Sequence, residues 1–371
     1  MANQFRLRCR YTSAGMHCRR IALHGTSDPA NVALATAAIL RGELVVLPTE
    51  TVYGVAARPS DPAQAAAVRT LKGRSTAPFT WHVAERSELE RLCGIVPERI
   101  QRLVDRYWPG PLTVVVPTGT GEEIGIRLPA HRFTCDVIRA VGEPLWMTSV
   151  NRSGNPPLGD PDSIEREFGS SLSLLCDDGP SPIGSASTVV RLRGTRLEVL
   201  REGILTRDEV LRTAAHTVLF VCTGNTCRSP LAEAMARRAV ALRLGVADEE
   251  VLAHGLHFAS VGTGGFSGMP ASEGSTAAAA EVGLDLSRHR SASFETADAL
   301  RASQVLCLSS GHLRAVAAVA PGLGERVQLL DPAGRDVRDP YGGTLAEYRQ
   351  MREQVAAAVE KRLEEWLRWV R

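Results

Sequence analysis

The stretch that decides the fold of the C-terminal half is VLFVCTGNTCRSPLAEAMARR, residues 218–238. Its first four apolar residues predict a strand, and CTGNTCRS (222–229) predicts a loop. Ser229 and Pro230 predict a helix start, because proline is favoured in the first helical turn. Cys222 therefore lies between the end of a strand and the start of a helix. Backbone N–H groups at such a helix start bind anions and favour the thiolate form of a cysteine.

Arg228 completes an anion-binding loop in this stretch. It follows Cys222 by six positions and can bind a phosphate with two parallel hydrogen bonds. Gly224 allows the backbone to turn tightly around an anion. A thiolate in a phosphate-binding loop predicts in-line attack on phosphorus and a phosphocysteine intermediate. The alternative is a buried structural cysteine, whereas the single glycine excludes a dinucleotide fingerprint and a Walker loop.

A phosphocysteine mechanism needs an acid for the leaving group, and RDVRDPYGGTLAEY (335–348) offers one. Asp339 precedes Pro340, which stiffens the loop, and Tyr341 is placed to form a wall of the substrate pocket. A helix-capping role is the alternative for Asp339, but the upstream thiol loop favours the acid.

Residues 217–371 alternate predicted strands and helices, which is typical of a small Rossmann-like, doubly wound parallel sheet. The predicted strands are 217–221, 258–261, 304–309 and 326–330. Two predicted helices cover 271–282 and 344–370, and two more begin at residues 230 and 312.

This half resembles the low-molecular-weight protein tyrosine phosphatase family, which carries Cys-x5-Arg-Ser after its first strand and Asp-Pro on a later loop. The resemblance implies that Cys222 is the nucleophile, that Arg228 binds phosphate, and that Asp339 protonates the leaving group and then activates water. It implies no cofactor. The loop residues that it assigns to support of the phosphate site are Thr223, Gly224, Asn225, Thr226, Cys227 and Ser229.

Three of these supporting residues have specific implied roles. Asn225 maintains the loop geometry, Ser229 donates a hydrogen bond to the thiolate, and Cys227 can form a reversible disulfide with the nucleophile. Thr226 bears on the substrate, because CTGNTCRSPLAE and DPYGGT are similar to the protein-arginine phosphatase branch. A hydroxyl at 226 can orient water or contact a guanidinium, and simple packing is the alternative. The expected substrate is a phosphoprotein carrying phosphotyrosine or phosphoarginine.

Short polar motifs are scattered through residues 43–205. PTETVYG (48–54) follows the predicted buried strand ELVVLP (43–48), and LKGRS (71–75) offers an ammonium and a guanidinium for nucleotide phosphates. Each motif alone is more often structural than functional. The other motifs are WPGPLT (108–113), IRLP (126–129), TSVNRSG (148–154), STVVRL (187–192) and LREG (200–203).

The order of these motifs resembles the threonylcarbamoyl-AMP synthase, or YrdC-like, family. That family couples L-threonine, bicarbonate and ATP into threonylcarbamoyl-adenylate, which serves modification of adenosine-37 in tRNA. The resemblance implies a twisted open sheet with helices, and Mg²⁺ accompanying the ATP. The implied threonine ligands are Thr49, His82 and Arg127, and the implied ATP ligands are Lys72, Arg74, Ser149, Asn151 and Arg201.

Several residues depart from that family pattern. Ala77 stands where a nucleotide-contacting Asn is usual, Val150 and Met147 where smaller residues are usual, and Pro157 where Ser is frequent. Two readings follow for the N-terminal half: a synthase, or a catalytically weakened scaffold that binds a nucleotide or RNA beside an active phosphatase.

Composition sets the remaining limits. The chain has 371 residues, of which 44% are hydrophobic and 23% charged, as in globular α/β proteins. We expect a cytoplasmic protein without a membrane partner, since no apolar run reaches about 18 residues. The net charge is +3 for residues 1–215 and −1 for residues 216–371. Neither half is basic enough for a protein that coats nucleic acid without sequence preference. The eight cysteines show neither a disulfide nor a zinc pattern.

The predicted organisation has four parts. They are a flexible basic arm (1–20), a YrdC-like domain (21–205), a linker that includes a short helix (206–216) and a phosphatase domain (217–371).

Overall fold

The computed structural model describes residues 18–73 and 78–370. It divides the chain into two compact units, Met1–Leu192 with Glu198–Val210, and Arg193–Leu197 with Leu211–Arg371. Residues 1–17 of the predicted arm lie outside the described residues. The prediction is wrong for Arg19 and Arg20, which begin a strand because the backbone of this segment pairs in parallel with residues 174–177. No helix in the described ranges has the length and apolar character needed to cross a membrane.

The N-terminal unit contains a mixed sheet of ten strands. In chain order these are β1 (Arg19–Ala22), β2 (Val45–Leu47), β3 (Gly54–Ala57), β4 (Thr80–His82), β5 (Leu112–Pro117), β6 (Glu123–Arg127), β7 (Leu145–Ser149), β8 (Leu174–Asp177), β9 (Thr188–Arg193) and β10 (Arg196–Arg201). They are arranged as β1-β8-β2-β3-β7-β4-β6-β5-β9-β10. The helices of this unit are α1 (Pro29–Leu40), α2 (Pro62–Lys72), α3 (Ser87–Cys93), α4 (Glu98–Tyr107), α5 (Arg132–Val141) and α6 (Pro161–Phe168).

Three of these helices begin with the same local signal, an Asp-Pro pair. The carboxylates of Asp28, Asp61 and Asp160 accept hydrogen bonds from backbone N–H groups in the first turns of α1, α2 and α6. Proline occupies the next position in each case, where its missing N–H costs no helical hydrogen bond.

Strand pairing in the middle of this sheet gathers the scattered motifs. Gly54 of β3 lies opposite Ser149 of β7, and His82 of β4 lies opposite Arg127 of β6. The PTETVYG, IRLP and TSVN segments therefore meet around the central strands β3, β7, β4 and β6, although up to about 100 residues separate them.

The C-terminal unit contains a sheet of four parallel strands, β11 (His216–Cys222), β12 (Leu256–Gly262), β13 (Gln304–Cys307) and β14 (Val327–Leu329), in the order β12-β11-β13-β14. The segment predicted as a linker forms α7 (Arg207–Ala214), and its Val210 and Leu211 are buried. The remaining helices are α8 (Arg228–Leu244), α9 (Glu273–Ala280), α10 (Thr296–Arg301), α11 (Ser310–Val319) and α12 (Leu345–Val370).

This arrangement confirms the predicted doubly wound α/β fold. One core cluster packs α8 and α12 against the sheet around Phe220, Phe258 and Trp366. A second core cluster packs α10 and α11 against the sheet around Val221 and Val305. The strand order reverses at β11, and ligands of such sheets bind at the carboxyl ends of the strands beside that reversal. Cys222 is the last residue of β11.

Candidate active sites

The first candidate site is the loop between β11 and α8. Cys222 is buried, with 2% of its surface exposed, and its Sγ lies 3.0 Å from Ser229 Oγ. Arg228 is the first residue of α8. The structure thus places the predicted nucleophile under the first turn of the helix that carries the predicted phosphate ligand.

Asn225 gives this loop its shape. Its φ of 52° is in the left-handed region, which is uncommon for a residue with a side chain. Four hydrogen bonds hold it there. Nδ2 donates to Ser229 Oγ at 2.9 Å and to Ser260 Oγ at 3.0 Å, Oδ1 accepts from the N–H of Ala292 at 2.8 Å, and its carbonyl oxygen lies 2.7 Å from His289 Nε2.

The predicted role of Gly224 needs correction. Its φ is not positive, and a methyl group there would meet only Thr226 Oγ1, at an ordinary 3.5 Å. The close approaches occur at two glycines that the sequence reasoning missed, Gly262 at the end of β12 and Gly265 in the segment after it. A Cβ on Gly262 would lie 2.5 Å from the carbonyl oxygen of Thr223, and one on Gly265 would lie 2.8 Å from that of Gly224. These glycines allow the segment from Gly262 to Gly265 to pack directly on the backbone of the loop.

The hydrogen-bond directions around Asn225 determine where the serine protons point. Its amide nitrogen can only donate, so Ser229 and Ser260 must each accept from it and direct their own protons elsewhere. Ser260 donates to the carboxylate of Glu233 at 2.7 Å. Two acceptors remain for Ser229, Cys222 Sγ at 3.0 Å and the carbonyl oxygen of Val261 at 3.5 Å, and the sulfur is the nearer. The loop therefore directs a hydroxyl donor at the sulfur, which stabilises a thiolate.

Arg228 and Asp339 meet across 111 positions of sequence. Arg228 Nη2 donates to Asp339 Oδ2 at 2.8 Å, and 7% of the Arg228 side chain and 50% of the Asp339 side chain are exposed. Arg228 Nε is buried and has no hydrogen-bond partner among the residues described. A buried donor without a partner is costly, so this nitrogen is available to an oxyanion. Asp339 therefore lies within hydrogen-bond distance of the predicted phosphate ligand.

Two exposed aromatic side chains lie on loops that contact this site. Tyr341, the predicted pocket wall, is 82% exposed, and its N–H donates to Asp339 Oδ1 at 3.3 Å. Phe266 is 87% exposed and follows Gly265, which packs on Gly224. Sequence reasoning missed Phe266, since no local pattern links it to the thiol loop.

The second cysteine of the loop lies behind the site. Cys227 is buried, and its Sγ donates to Ser272 Oγ at 3.2 Å. Cys222 and Cys227 are both free thiols, and their reversible disulfide stays a prediction. Thr226 Oγ1 lies 3.7 Å from Cys227 Sγ.

The second candidate site is a cavity of about 170 Å³ in the N-terminal unit. It is lined by five of the residues predicted to bind threonine or ATP, together with Thr80, Thr113, Met147 and Ser187. The five predicted residues are Thr49, His82, Arg127, Ser149 and Arg201.

Two arginines, the buried Arg127 and the exposed Arg201, give the cavity its electrostatic character. Arg127 donates to Glu50 Oε1 at 2.6 Å and to the carbonyl oxygen of Gly110 at 3.2 Å. Arg201 donates to the carbonyl oxygen of Ser187 at 2.8 Å. Burial and the charge of Arg127 lower the pKa of Arg201. Because Glu50 neutralises only one of the two cations, the cavity favours an anionic group such as a carboxylate.

Other polar side chains in the cavity are oriented by local hydrogen bonds. Burial, and to a lesser extent Arg127, lower the pKa of His82 to about 3, so its ring is neutral at pH 7. His82 Nδ1 lies 3.1 Å from the carbonyl oxygen of Thr80 and must donate to it. His82 Nε2 is then a hydrogen-bond acceptor. Thr49 Oγ1 donates to the carbonyl oxygen of Val52 at 2.7 Å and so shapes the turn within PTETVYG.

Lys72 lies behind the cavity wall rather than among its lining residues. Its Nζ donates to the carbonyl oxygen of Ser149 at 2.5 Å and to Asn151 Oδ1 at 2.9 Å. The structure thus brings three predicted ATP ligands together. Arg74 and Ala77 lie outside the described residues.

The departures from the family pattern fall into two groups. Met147 lines the cavity, and a Cβ on Gly54 would lie 2.7 Å from Met147 Cε, so the absent side chain of Gly54 makes room for the thioether. Val150 instead packs in the apolar core. Sequence reasoning missed Glu50, although it is the third residue of PTETVYG.

Comparison with known proteins agrees with this geometry. The Sua5/YciO/YrdC family model, described as "Telomere recombination", matches residues 37–203, and the model for low molecular weight phosphotyrosine protein phosphatase matches residues 217–371. A threonylcarbamoyl-AMP synthase from Alkalilimnicola ehrlichii is 31% identical over 162 residues, which cover 41% of this chain and 84% of that protein. The chain belongs to the threonylcarbamoyl-AMP synthase family.

Two further proteins show how far the similarity extends. The threonylcarbamoyl-AMP synthase of Bacillus subtilis is 33% identical over 196 residues, half of this chain, and the chain spans only 56% of its length. In the phosphatase domain, the YwlE arginine phosphatase of Geobacillus stearothermophilus is 27% identical. Its structure aligns with 41% of this chain and 94% of its own, with a TM-score of 0.36.

Proposed function

We propose that residues 217–371 hydrolyse phosphorylated side chains of proteins through a phosphocysteine intermediate. The observation that carries this proposal is the 3.0 Å approach of Ser229 Oγ to Cys222 Sγ in a loop closed by Arg228. A thiolate supported in this way is the nucleophile that attack on phosphorus requires.

The proposed reaction has two steps. The Cys222 thiolate forms the S–P bond while the bond from phosphorus to the leaving group breaks, and Asp339 gives its proton to the leaving atom. Asp339 then removes a proton from water, the water oxygen bonds to phosphorus, and the S–P bond breaks to release phosphate and the thiolate. Arg228 and the loop N–H groups stabilise the phosphoryl oxygens in both steps. The phosphoryl group takes the place at Arg228 that the Asp339 carboxylate holds in this structure.

Two substrates are candidates, each favoured by one observation. The exposed rings of Tyr341 and Phe266 can contact the flat ring of phosphotyrosine. The hydroxyl of Thr226 has only a long contact to sulfur among the described residues and can bond a guanidinium or the attacking water. Turnover of phosphotyrosine and phosphoarginine peptides by the wild type, Thr226→Ile and Cys222→Ser tests this. Cys222→Ser should abolish both activities, and an unchanged substrate ratio in Thr226→Ile would remove the role of Thr226.

We propose that the N-terminal domain, residues 21–205, makes L-threonylcarbamoyladenylate from L-threonine, bicarbonate and ATP, for threonylcarbamoyladenosine modification of tRNA. The cavity with Arg127 supports this best. The guanidinium would bind the threonine carboxylate, in competition with Glu50, and neutral His82 would accept a hydrogen bond from the threonine side chain or amine. Both reactions use cytoplasmic substrates, and we propose that compartment.

The nucleotide would lie mostly outside the cavity. About 170 Å³ accommodates an amino acid but not ATP as well. Ser149 lines the cavity and connects it to Lys72 and Asn151. The phosphates of ATP would therefore extend from the cavity toward Lys72, and Arg201 would contact the part of the nucleotide nearest the cavity. Mg²⁺ would enter on the triphosphate, whose oxygens are the ligands it usually takes in nucleotide sites.

Pyrophosphate release separates this synthase from the scaffold alternative, which neither the family assignment nor the cavity favours. A synthase releases pyrophosphate only when threonine, bicarbonate and ATP are all present. Arg127→Gln should raise the KM for threonine while ATP still binds. Binding of ATP without threonine-dependent turnover by the wild type would instead support the scaffold.

A further inference from the structure

His312 is a buried titratable residue that the proposed mechanism does not use. It lies in the first turn of α11, and 6% of its surface is exposed. Its Nε2 lies 2.9 Å from Thr223 Oγ1, and its Nδ1 lies 2.9 Å from Ser309 Oγ. The imidazole therefore joins α11 to the residue that follows the nucleophile.

The charge state of His312 follows from its neighbours. Burial, and to a lesser extent the Arg228 cation, lower its pKa to about 4, against a smaller opposing effect of Asp339 and Asp336. The ring is thus neutral at pH 7, with one donor and one acceptor nitrogen. Arg228 Nη2 lies 3.5 Å from Thr223 Oγ1 and can only donate to it. Thr223 Oγ1 has two lone pairs, so it can accept from Arg228 and still share a hydrogen bond with His312 Nε2 in either tautomer of the ring.

We propose that His312 is a positioning residue of the phosphatase site, which holds the Thr223 hydroxyl as an acceptor for Arg228. This inference rests on the proposed phosphatase function. Arg228 has two side-chain partners among the described residues, Asp339 and Thr223. Once a phosphoryl group has replaced Asp339, Thr223 is the described partner that still orients the guanidinium, and its hydrogen bond with His312 Nε2 holds the hydroxyl group in place for that contact.

A matched pair of variants separates the two nitrogens of the ring. The amide of glutamine reaches the position of Nε2, so His312→Gln keeps an acceptor for Thr223. The shorter asparagine reaches only the position of Nδ1, so His312→Asn keeps the contact with Ser309 and loses Thr223. We expect His312→Asn to lower kcat/KM for p-nitrophenyl phosphate by about three- to tenfold, the effect of one hydrogen bond, and His312→Gln to restore most of that loss.

A double-mutant cycle with Thr223→Val tests the coupling between the two residues. Thr223→Val should lower kcat/KM about as much as His312→Asn, and the double variant should be no worse than either. If the loss of kcat/KM in the double variant equals the product of the two single losses, the residues act independently and the inference is overturned. Equal losses in His312→Asn and His312→Gln, or wild-type rates in both, would overturn it as well. Thermal unfolding of each variant distinguishes loss of fold from loss of positioning.

The proposed function and this inference fail in different ways. If the wild type does not hydrolyse p-nitrophenyl phosphate, the phosphatase proposal is wrong. The position of Arg228 is then still measured by the protection that inorganic phosphate gives Cys222 against iodoacetamide. His312→Asn should need about three- to tenfold more phosphate for half protection than the wild type or His312→Gln. Equal phosphate requirements in all three proteins would refute the positioning role.

Discussion

Replacement of Asp339 by Asn tests the assignment of the general acid. The amide keeps the size of the side chain and an oxygen for Arg228, but it has no proton to donate to a leaving group. Positioned general acids contribute about 10²–10⁴-fold in rate. Tyrosine leaves phosphotyrosine as a phenolate whose conjugate acid has a pKa of about 10, and it needs that proton, whereas p-nitrophenolate leaves readily as an anion.

We therefore expect Asp339→Asn to lower kcat by about 10²–10⁴-fold for phosphotyrosine and by a much smaller factor for p-nitrophenyl phosphate. The fold should be little affected, because half of the Asp339 side chain is exposed and the oxygen of Asn can still accept a hydrogen bond from Arg228. Single-turnover kinetics with both substrates measure the step that forms phosphocysteine, and urea unfolding checks stability. Equal losses for the two leaving groups would refute the acid role and leave Asp339 as a partner that only orients Arg228.

Three other predictions concern the two sites. Ser229→Ala removes the hydroxyl that points at the sulfur. A hydrogen bond to a charged group is worth about 1.5–3 kcal/mol. Iodoacetamide should therefore alkylate Cys222 in this variant about ten- to hundredfold more slowly than in the wild type at pH 6. Met147→Ala leaves space beside Gly54; the free energy of unfolding should fall by about 2–5 kcal/mol, and pyrophosphate release should show weaker discrimination between threonine and larger amino acids. His82 has a pKa lowered to about 3, so the folded protein should lose stability as the pH falls from about 6.5 toward 3, and His82→Gln should flatten that part of the pH dependence in urea unfolding.

Each of these three has a contrary outcome. An unchanged alkylation rate in Ser229→Ala would mean that the Ser229 proton points elsewhere. Unaltered amino-acid selectivity in Met147→Ala would place the threonine site away from this cavity. A steep acid dependence that persists in His82→Gln would assign the acid sensitivity to other groups.

Local sequence determined the parts of this protein whose contacts are short-range. Cys222, Arg228 and Ser229 lie within eight consecutive residues, and a strand, a tight loop and a helix start leave that segment one way to fold around an anion. The Asp-Pro pairs set helix starts for the same reason, since a cap needs only its own first turn. The order of the motifs in the N-terminal half likewise identified its family before their arrangement was visible.

Tertiary structure decided everything that depends on which strands pair and which loops pack together. Asp339 meets Arg228 across 111 positions, and the cavity around Arg127 draws its lining from segments between residues 49 and 201. Gly262 and Gly265, rather than Gly224, make the close approaches at the loop, and Arg19 belongs to a strand because β8 lies beside it. Periodicity and capping report a residue's own element, whereas these contacts depend on strand register and packing over long chain separations, which no short window of sequence encodes.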